Sequence, residues 1–132
     1  MKKIDTACII DDDSIFIFGA KHMMKISNFS KSLLVFKNGK EAIESLKTIF
    51  KQNKNVPDII LLDINMPIMD GWQFLDEFEK LNYNTTKIFM VSSSIDPIDI
   101  NRAKKYNTVV DYILKPISID KIKKISKTYS EL

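Results

Sequence analysis

The chain has 132 residues, 45% of them apolar and 28% charged, a balance that excludes a fibrous repeat, extended disorder and a second sizeable module. Its net charge is only +3, with lysines scattered among acidic and polar neighbours, which argues against nucleic acid as the main partner. No apolar run reaches the roughly 18 residues of a membrane span, and Met1-Lys2-Lys3 is followed by Ile4-Asp5-Thr6 rather than by the apolar core of a signal peptide. A single domain over residues 1–132, cytoplasmic and without membrane attachment, is expected.

The first apolar run, 7–10, reads as a strand. It contains the one cysteine, Cys8, which has no internal disulfide partner and is expected to be buried. A helical pattern follows over 14–27, with Asp13 or Ser14 as its cap. Ile15, Phe16, Ile17 and Phe18 are consecutive apolar residues there, and one helix cannot aim all four at one core. The spacing assigns Phe16, Ala20, Met23 and Met24 to the buried face and leaves Ile15, Phe18 and Gly19 exposed. His22 reads as a surface or boundary residue.

The run 33–36 is the second expected strand and 40–51 the second helix, with Asn38 placed three residues before Glu41 as in a capping box. The third strand is expected over 58–62 and the third helix over 72–81. Pro67 and Gly71 shape the loop between them, Gly71 by a backbone conformation other residues resist, and Trp72 is expected to be a partly exposed helix residue. A fourth strand over 87–91 leads to a helix over 97–106, opened by Asp96 as N-cap, Pro97 at the first helical position and Asp99 in the first turn. The fifth strand is 109–114 and the fifth helix 119–129, whose Lys121, Lys123, Lys124 and Lys127 read as a solvated face.

Short apolar runs alternating with helical segments are the pattern of βα units around a parallel sheet, and several runs are continuous, as strands covered on both faces should be. With right-handed crossovers the expected fold is α/β, a (βα)5 doubly wound parallel five-stranded sheet in the order 2-1-3-4-5. Chemistry-bearing residues fall at the strand ends. Asp11-Asp12-Asp13 follow the first strand, Asp63 the third, Ser92 the fourth and Lys115-Pro116 the fifth. In that strand order the first and third strands are neighbours at the crevice outside the carboxyl ends, so Asp11, Asp12 and Asp63 converge. Crowded carboxylates raise one another's pKa unless a cation neutralises them, and all-oxygen ligation with few protein ligands suits Mg2+. A single aspartate after a strand would serve only to cap the next helix; acids at two strand ends with Ser and Lys at two others point beyond capping.

Ile10-Asp11-Asp12, the stretch Leu62-Asp63-Ile64-Asn65-Met66-Pro67-Ile68-Met69-Asp70-Gly71, Val91-Ser92-Ser93 and Tyr112-Ile113-Leu114-Lys115-Pro116 together resemble the receiver domains of two-component response regulators, of the stand-alone chemotaxis-regulator-like kind, and the resemblance covers nearly the whole chain. It implies a flavodoxin-like fold with Asp63 as phosphoacceptor. It further implies that Asp11, Asp12, Asp63 and the backbone carbonyl of Asn65 hold magnesium, and that Lys115 and Ser92 engage the phosphoryl group. Ser92 and Tyr112 would form the switch, Asn65 and Ser94 would tune the lifetime of the acyl phosphate, and Lys115-Pro116 would be a cis peptide. The donor would be a histidine kinase or histidine phosphotransfer protein, docking on Ile15, Phe18 and Gly19. Output would pass to a downstream protein through the fourth helix, fifth strand and fifth helix, the chain acting alone as a monomer or weak dimer and catalysing only its own phosphorylation and dephosphorylation.

Other classes fit less well. Haloacid dehalogenase phosphatases also use a strand-end Asp with magnesium but need a second acid two residues on, where this chain has Asn65. A dinucleotide-binding enzyme needs a Gly-rich turn after the first strand, and none is present. A degenerate receiver would have lost part of the set Asp11, Asp12, Asp63, Ser92 and Lys115, which is complete here.

Overall fold

The protein is described by a computed structural model covering residues 2–132. Five strands alternate with five helices: β1 (Thr6–Ile10), α1 (Ser14–Ile26), β2 (Ser32–Phe36), α2 (Gly39–Gln52), β3 (Ile59–Leu62), α3 (Gly71–Glu79), β4 (Lys87–Ser92), α4 (Pro97–Ala103), β5 (Val109–Leu114) and α5 (Ile119–Ser130). All strand pairs are parallel and the sheet order is β2-β1-β3-β4-β5, the order expected of a doubly wound sheet. No helix among the described residues is long and apolar enough to cross a membrane.

Alternation along the strands divides the core in two. Ala7 and Ile9 of β1 join Ile59, Leu61, Phe89 and Val91 under α1 and α5. Cys8 and Ile10 join Ile60, Leu62, Ile88 and Met90 under α2, α3 and α4, where Phe74 and Phe78 are fully buried. β1 and β3 are buried along their whole length, which is why their sequences are continuous apolar runs rather than alternating ones. Burial of each large side chain contributes about 1.5–3 kcal/mol.

Local signals set the helix starts. Asp13 caps α1 by accepting from the amides of Ile15 and Phe16, Asn38 caps α2 through Glu41, and Asp96 caps α4 with Pro97 inside the first turn. The reciprocal capping box lies at α3, where Asp70 accepts from the Gln73 amide and Gln73 accepts from that of Asp70. Helix ends were harder to read. α3 stops at Glu79 and α4 at Ala103, short of the expected 81 and 106, because Leu81 and Tyr106 turn back to the carbonyls of Phe78 and Ala103. Asn28, Asn53, Asn55 and Asn82 have positive φ, so asparagine takes the left-handed positions that glycine often fills after helices.

On α1 the buried residues are Ile17, Ala20 and Met24, while Phe16 and Met23 are only half-buried. The expected face was therefore rotated: Ile17 replaces Phe16 at its centre. Ile15 and Phe18 stand 85% and 78% exposed, as their exclusion from the core required. Gly19 is half-buried, and a Cβ there would meet nothing within 4 Å. Trp72 is also displaced from expectation. It is buried, stacked on Tyr106 at 6.1 Å and covered by the Arg102 guanidinium at 4.6 Å.

Candidate phosphoacceptor site

Register brings the site together. Ile10 pairs with Leu62 across β1 and β3, and the Asp63 amide donates to the Ile10 carbonyl at 3.0 Å, so the residues leaving the two strands, Asp11 and Asp63, emerge side by side. One carboxylate oxygen from each of Asp11, Asp12 and Asp63 lies within 4.8 Å of the others. Asp11 and Asp63 are buried and Asp12 is exposed, so the cluster opens to solvent on one side.

Lys115 reaches the two buried acids of this cluster. Ser92 pairs with Leu114 across β4 and β5, and the Lys115 amide donates to the Ser92 carbonyl at 2.9 Å. The Lys115-Pro116 peptide is cis. Lys115 Nζ lies 2.9 Å from Asp11 Oδ2 and 3.4 Å from Asp63 Oδ2, and 4.4 Å from the centre of the Phe16 ring. Phe16 thus faces the site as well as the core, which accounts for its partial burial.

Each buried carboxylate is anchored by one oxygen. Asp11 Oδ1 accepts from the Asp13 amide at 2.9 Å and Asp63 Oδ1 from the Ile64 amide at 2.8 Å. Asp11 Oδ2 has Lys115 close by but no aligned hydrogen bond. Burial pushes the Asp11 carboxyl up to about 6, with Lys115 and the Asp13 amide opposing the rise and the Asp63 charge adding to it. Burial likewise raises Asp63, against Lys115 and the Ile64 amide. For Lys115 burial favours the neutral amine, but the two carboxylates outweigh it and its pKa stands raised. One ammonium facing three acids leaves the cluster short of positive charge. An unaligned buried oxygen in an all-carboxylate set fits a hard divalent cation such as magnesium.

Ser92 is buried at the end of β4, its Oγ accepting from the Ser94 amide at 3.3 Å. Tyr112 is half-buried, with its hydroxyl donating to the Ser94 carbonyl at 2.9 Å. Ser94 in turn donates through Oγ to Asp99 Oδ2 at 2.6 Å. Asp99, read from the sequence only as an acid in a first helical turn, therefore ties the loop after β4 to α4. Asn65 is exposed in the loop after Asp63.

That loop corrects the expectation for Gly71. Its φ is not positive; instead an added Cβ would press into the Asp63 carbonyl oxygen and lie 2.9 Å from Ile64 Cα. Glycine is required by close backbone approach, with the Gly71 amide donating to the Ile64 carbonyl at 2.7 Å. The left-handed conformation falls on Ile68, at φ 71° with its side chain 75% exposed, a strained setting for a β-branched residue. Lys121 also departs from the solvated face assigned to it, donating to the carbonyls of Leu114 and Pro116 at 2.6 and 3.0 Å. Lys123, Lys124 and Lys127 are exposed. Cys8 is buried, and burial pushes its thiol pKa up. His22 is exposed on α1.

The chain is 28% identical over 117 residues to a protein-glutamate methylesterase/protein-glutamine glutaminase of Methanococcoides burtonii, covering 89% of this chain and 31% of that one. It is 36% identical over 88 residues to the sensor histidine kinase CheAY of Helicobacter pylori, covering 66% of this chain and 10% of that one. It thus spans about a third or less of the length of these relatives. A two component response regulator from Cytophaga hutchinsonii has a crystal structure that superposes with a TM-score of 0.88 at 28% identity, covering 99% of this chain and 100% of that one. Residues 7–127 match the response regulator receiver domain family. With this match over nearly the whole chain, the shared fold and the acidic cluster at the carboxyl ends of β1 and β3, the chain belongs to the receiver domain family of two-component response regulators.

Proposed function

We propose that the chain is a magnesium-dependent phosphoacceptor switch in which Asp63 receives a phosphoryl group from a histidine kinase or a histidine phosphotransfer protein. The observation that carries this reading is the meeting of the Asp11, Asp12 and Asp63 carboxylates within 4.8 Å, with Lys115 Nζ at the same hollow. Asp11, Asp12, Asp63 and the Asn65 carbonyl would hold the ion, which when bound neutralises the acids and draws negative charge from the phosphoryl oxygens. A carboxylate oxygen of Asp63 forms the new bond to phosphorus as the bond to the donor imidazole breaks. Lys115 compensates the charge on the arriving oxygens, and the remaining contribution is positioning.

The switch would run through Ser92. A hydrogen bond from its hydroxyl to the acyl phosphate pulls the loop after β4 inward, disturbing the contact by which Tyr112 holds the Ser94 carbonyl. Tyr112 then turns inward and the surface of α4, β5 and α5 changes for a downstream protein. Couplings of this type are about 1–3 kcal/mol, whereas moving an equilibrium from 1:99 to 99:1 takes about 5.5 kcal/mol, so part of the population is active-like before phosphorylation. Asn65 and Ser94, each two residues beyond a reacting or switching group, tune the acyl phosphate lifetime.

Ile15, Phe18 and Gly19 supply the donor's docking patch, because the donor histidine must come within bonding reach of Asp63. If Phe18→Glu leaves transfer from the cognate kinase as fast as before, that docking role is wrong. The acceptor role is tested by intact mass after incubation with acetyl phosphate and magnesium. One phosphoryl addition is expected, absent in Asp63→Asn and with chelator. Multiple turnover of phosphate esters, or no labelling and no metal binding, would overturn the reading.

A further inference from the structure

The two faces of the sheet are unequally covered, by α1 and α5 on one side and by α2, α3 and α4 on the other. The edge strand β2 is partly bare on both faces, Leu34 and Phe36 being half-buried on the three-helix side. Leu33 and Val35 are half-buried, while their partners on β1, Ala7 and Ile9, are fully buried. An open groove of about 560 Å³ runs between α1 and β2. Its floor is apolar, formed by Ile17, Met24 and Leu33, and Phe18 stands at its rim.

The walls are cationic. Lys21, Lys25, Lys31 and Lys37 line the groove and no Asp or Glu does. Lys31 pairs with Asp5 at 3.4 Å and Lys37 donates to the Ser14 hydroxyl at 3.3 Å. Among the described residues no acid lies within ion-pair distance of Lys21 or Lys25. These two lysines stand at i and i+4 on α1, a like-charge spacing that weakens a helix; the helix dipole favours Lys25 in the last turn, and Lys21 has no such compensation.

We infer that the groove receives an acidic segment of a partner protein carrying one or two large apolar side chains. The apolar floor accepts the hydrophobic anchors, and carboxylates along the segment meet Lys21, Lys25 and Lys37, the arrangement by which amphipathic segments seat in grooves. Nucleic acid fits less well, because the floor residues Ile17, Met24 and Leu33 offer nothing to a sugar-phosphate chain, and stacking would fall to Phe18 and His22 on α1 alone. A second copy related by a twofold axis would set these lysines against themselves. None of Asp11, Asp12, Asp63, Ser92 or Lys115 lines the groove, so this inference does not rest on the phosphoacceptor reading. Phe18 borders both surfaces, and the test therefore uses Lys21 and Lys25.

The full chain, labelled with nitrogen-15, would be titrated with a synthetic Glu-rich peptide bearing Leu and Phe at i and i+4. Saturable amide shifts confined to α1 and β2 are expected. Affinity should fall about tenfold in Lys21→Glu/Lys25→Glu, and again about tenfold when Leu and Phe of the peptide become Ser. Absence of groove shifts at about 1 mM peptide overturns the inference. So does equal binding of the Ser peptide, which would mean charge attraction alone, or tighter binding of a single-stranded oligonucleotide to the same amides. Groove shifts that follow protein concentration without peptide would assign the face to self-association instead.

Discussion

Replacing Asp11 by Asn should make the metal-free protein more stable while abolishing its response to magnesium. Asp11 is 1% exposed, and its carboxylate lies within 4.8 Å of those of Asp12 and Asp63. Two unit charges at that separation repel by about 3–4 kcal/mol at an effective dielectric constant near 20, and Lys115 offsets part of this. Burial raises the Asp11 pKa from 3.8 to about 6, which corresponds to a cost of at most about 3 kcal/mol at pH 7. The folded state binds this proton more tightly than the unfolded chain. The cost is therefore absent below the unfolded pKa, grows as pH rises between 3.8 and about 6, and is complete above that.

Asn keeps an oxygen to accept from the Asp13 amide while removing the charge. In chelator at pH 7 it should raise stability by about 1–3 kcal/mol, and the advantage should shrink as pH falls toward 5. Magnesium at a hundred times its Kd should add about 2.7 kcal/mol to the wild type and little to the variant. Urea unfolding followed by circular dichroism measures all four conditions, and comparing the two proteins cancels the titration of groups they share. An Asp11→Asn protein that unfolds at lower urea than the wild type in chelator would refute the argument that this hollow is under-neutralised.

Gly71→Ala should destabilise by about 1–3 kcal/mol, because the new methyl group meets the backbone of Asp63 and Ile64 rather than a side chain that can yield; an unchanged thermal midpoint would contradict this. Ile68→Gly should instead stabilise by up to about 1 kcal/mol, since the side chain is exposed and its backbone left-handed, and denaturant unfolding would detect the gain. Tyr112→Phe removes the hydroxyl that donates to the Ser94 carbonyl and should cost about 0.5–1.5 kcal/mol. It should also speed hydrogen exchange in the loop between β4 and α4, and identical exchange there would show that the contact does not hold the loop.

The strand positions and the identity of the acidic residues were legible in the sequence because both depend on local patterns, whereas the strand order followed from the general doubly wound arrangement of βα units. Continuous apolar runs mark strands buried on two faces, as in Ile59–Leu62, and polar residues such as Asp11 and Asp63 stand at the points where those runs end. What tertiary structure alone decided were matters of approach and direction. Helical spacing gave α1 an apolar side but not its rotation, so Phe16 turned partly toward Lys115 and Ile17 took the core. The left-handed position fell on Ile68 rather than on Gly71, because close backbone approach and backbone handedness both favour glycine, and a sequence does not separate them. Trp72 and Lys121 found partners 34 and 7 positions away, in Tyr106 and Leu114, contacts that no helical or strand period encodes. Periodicity reports which residues leave water together; which neighbours they then meet depends on how separate elements pack, and that is set by the whole chain at once.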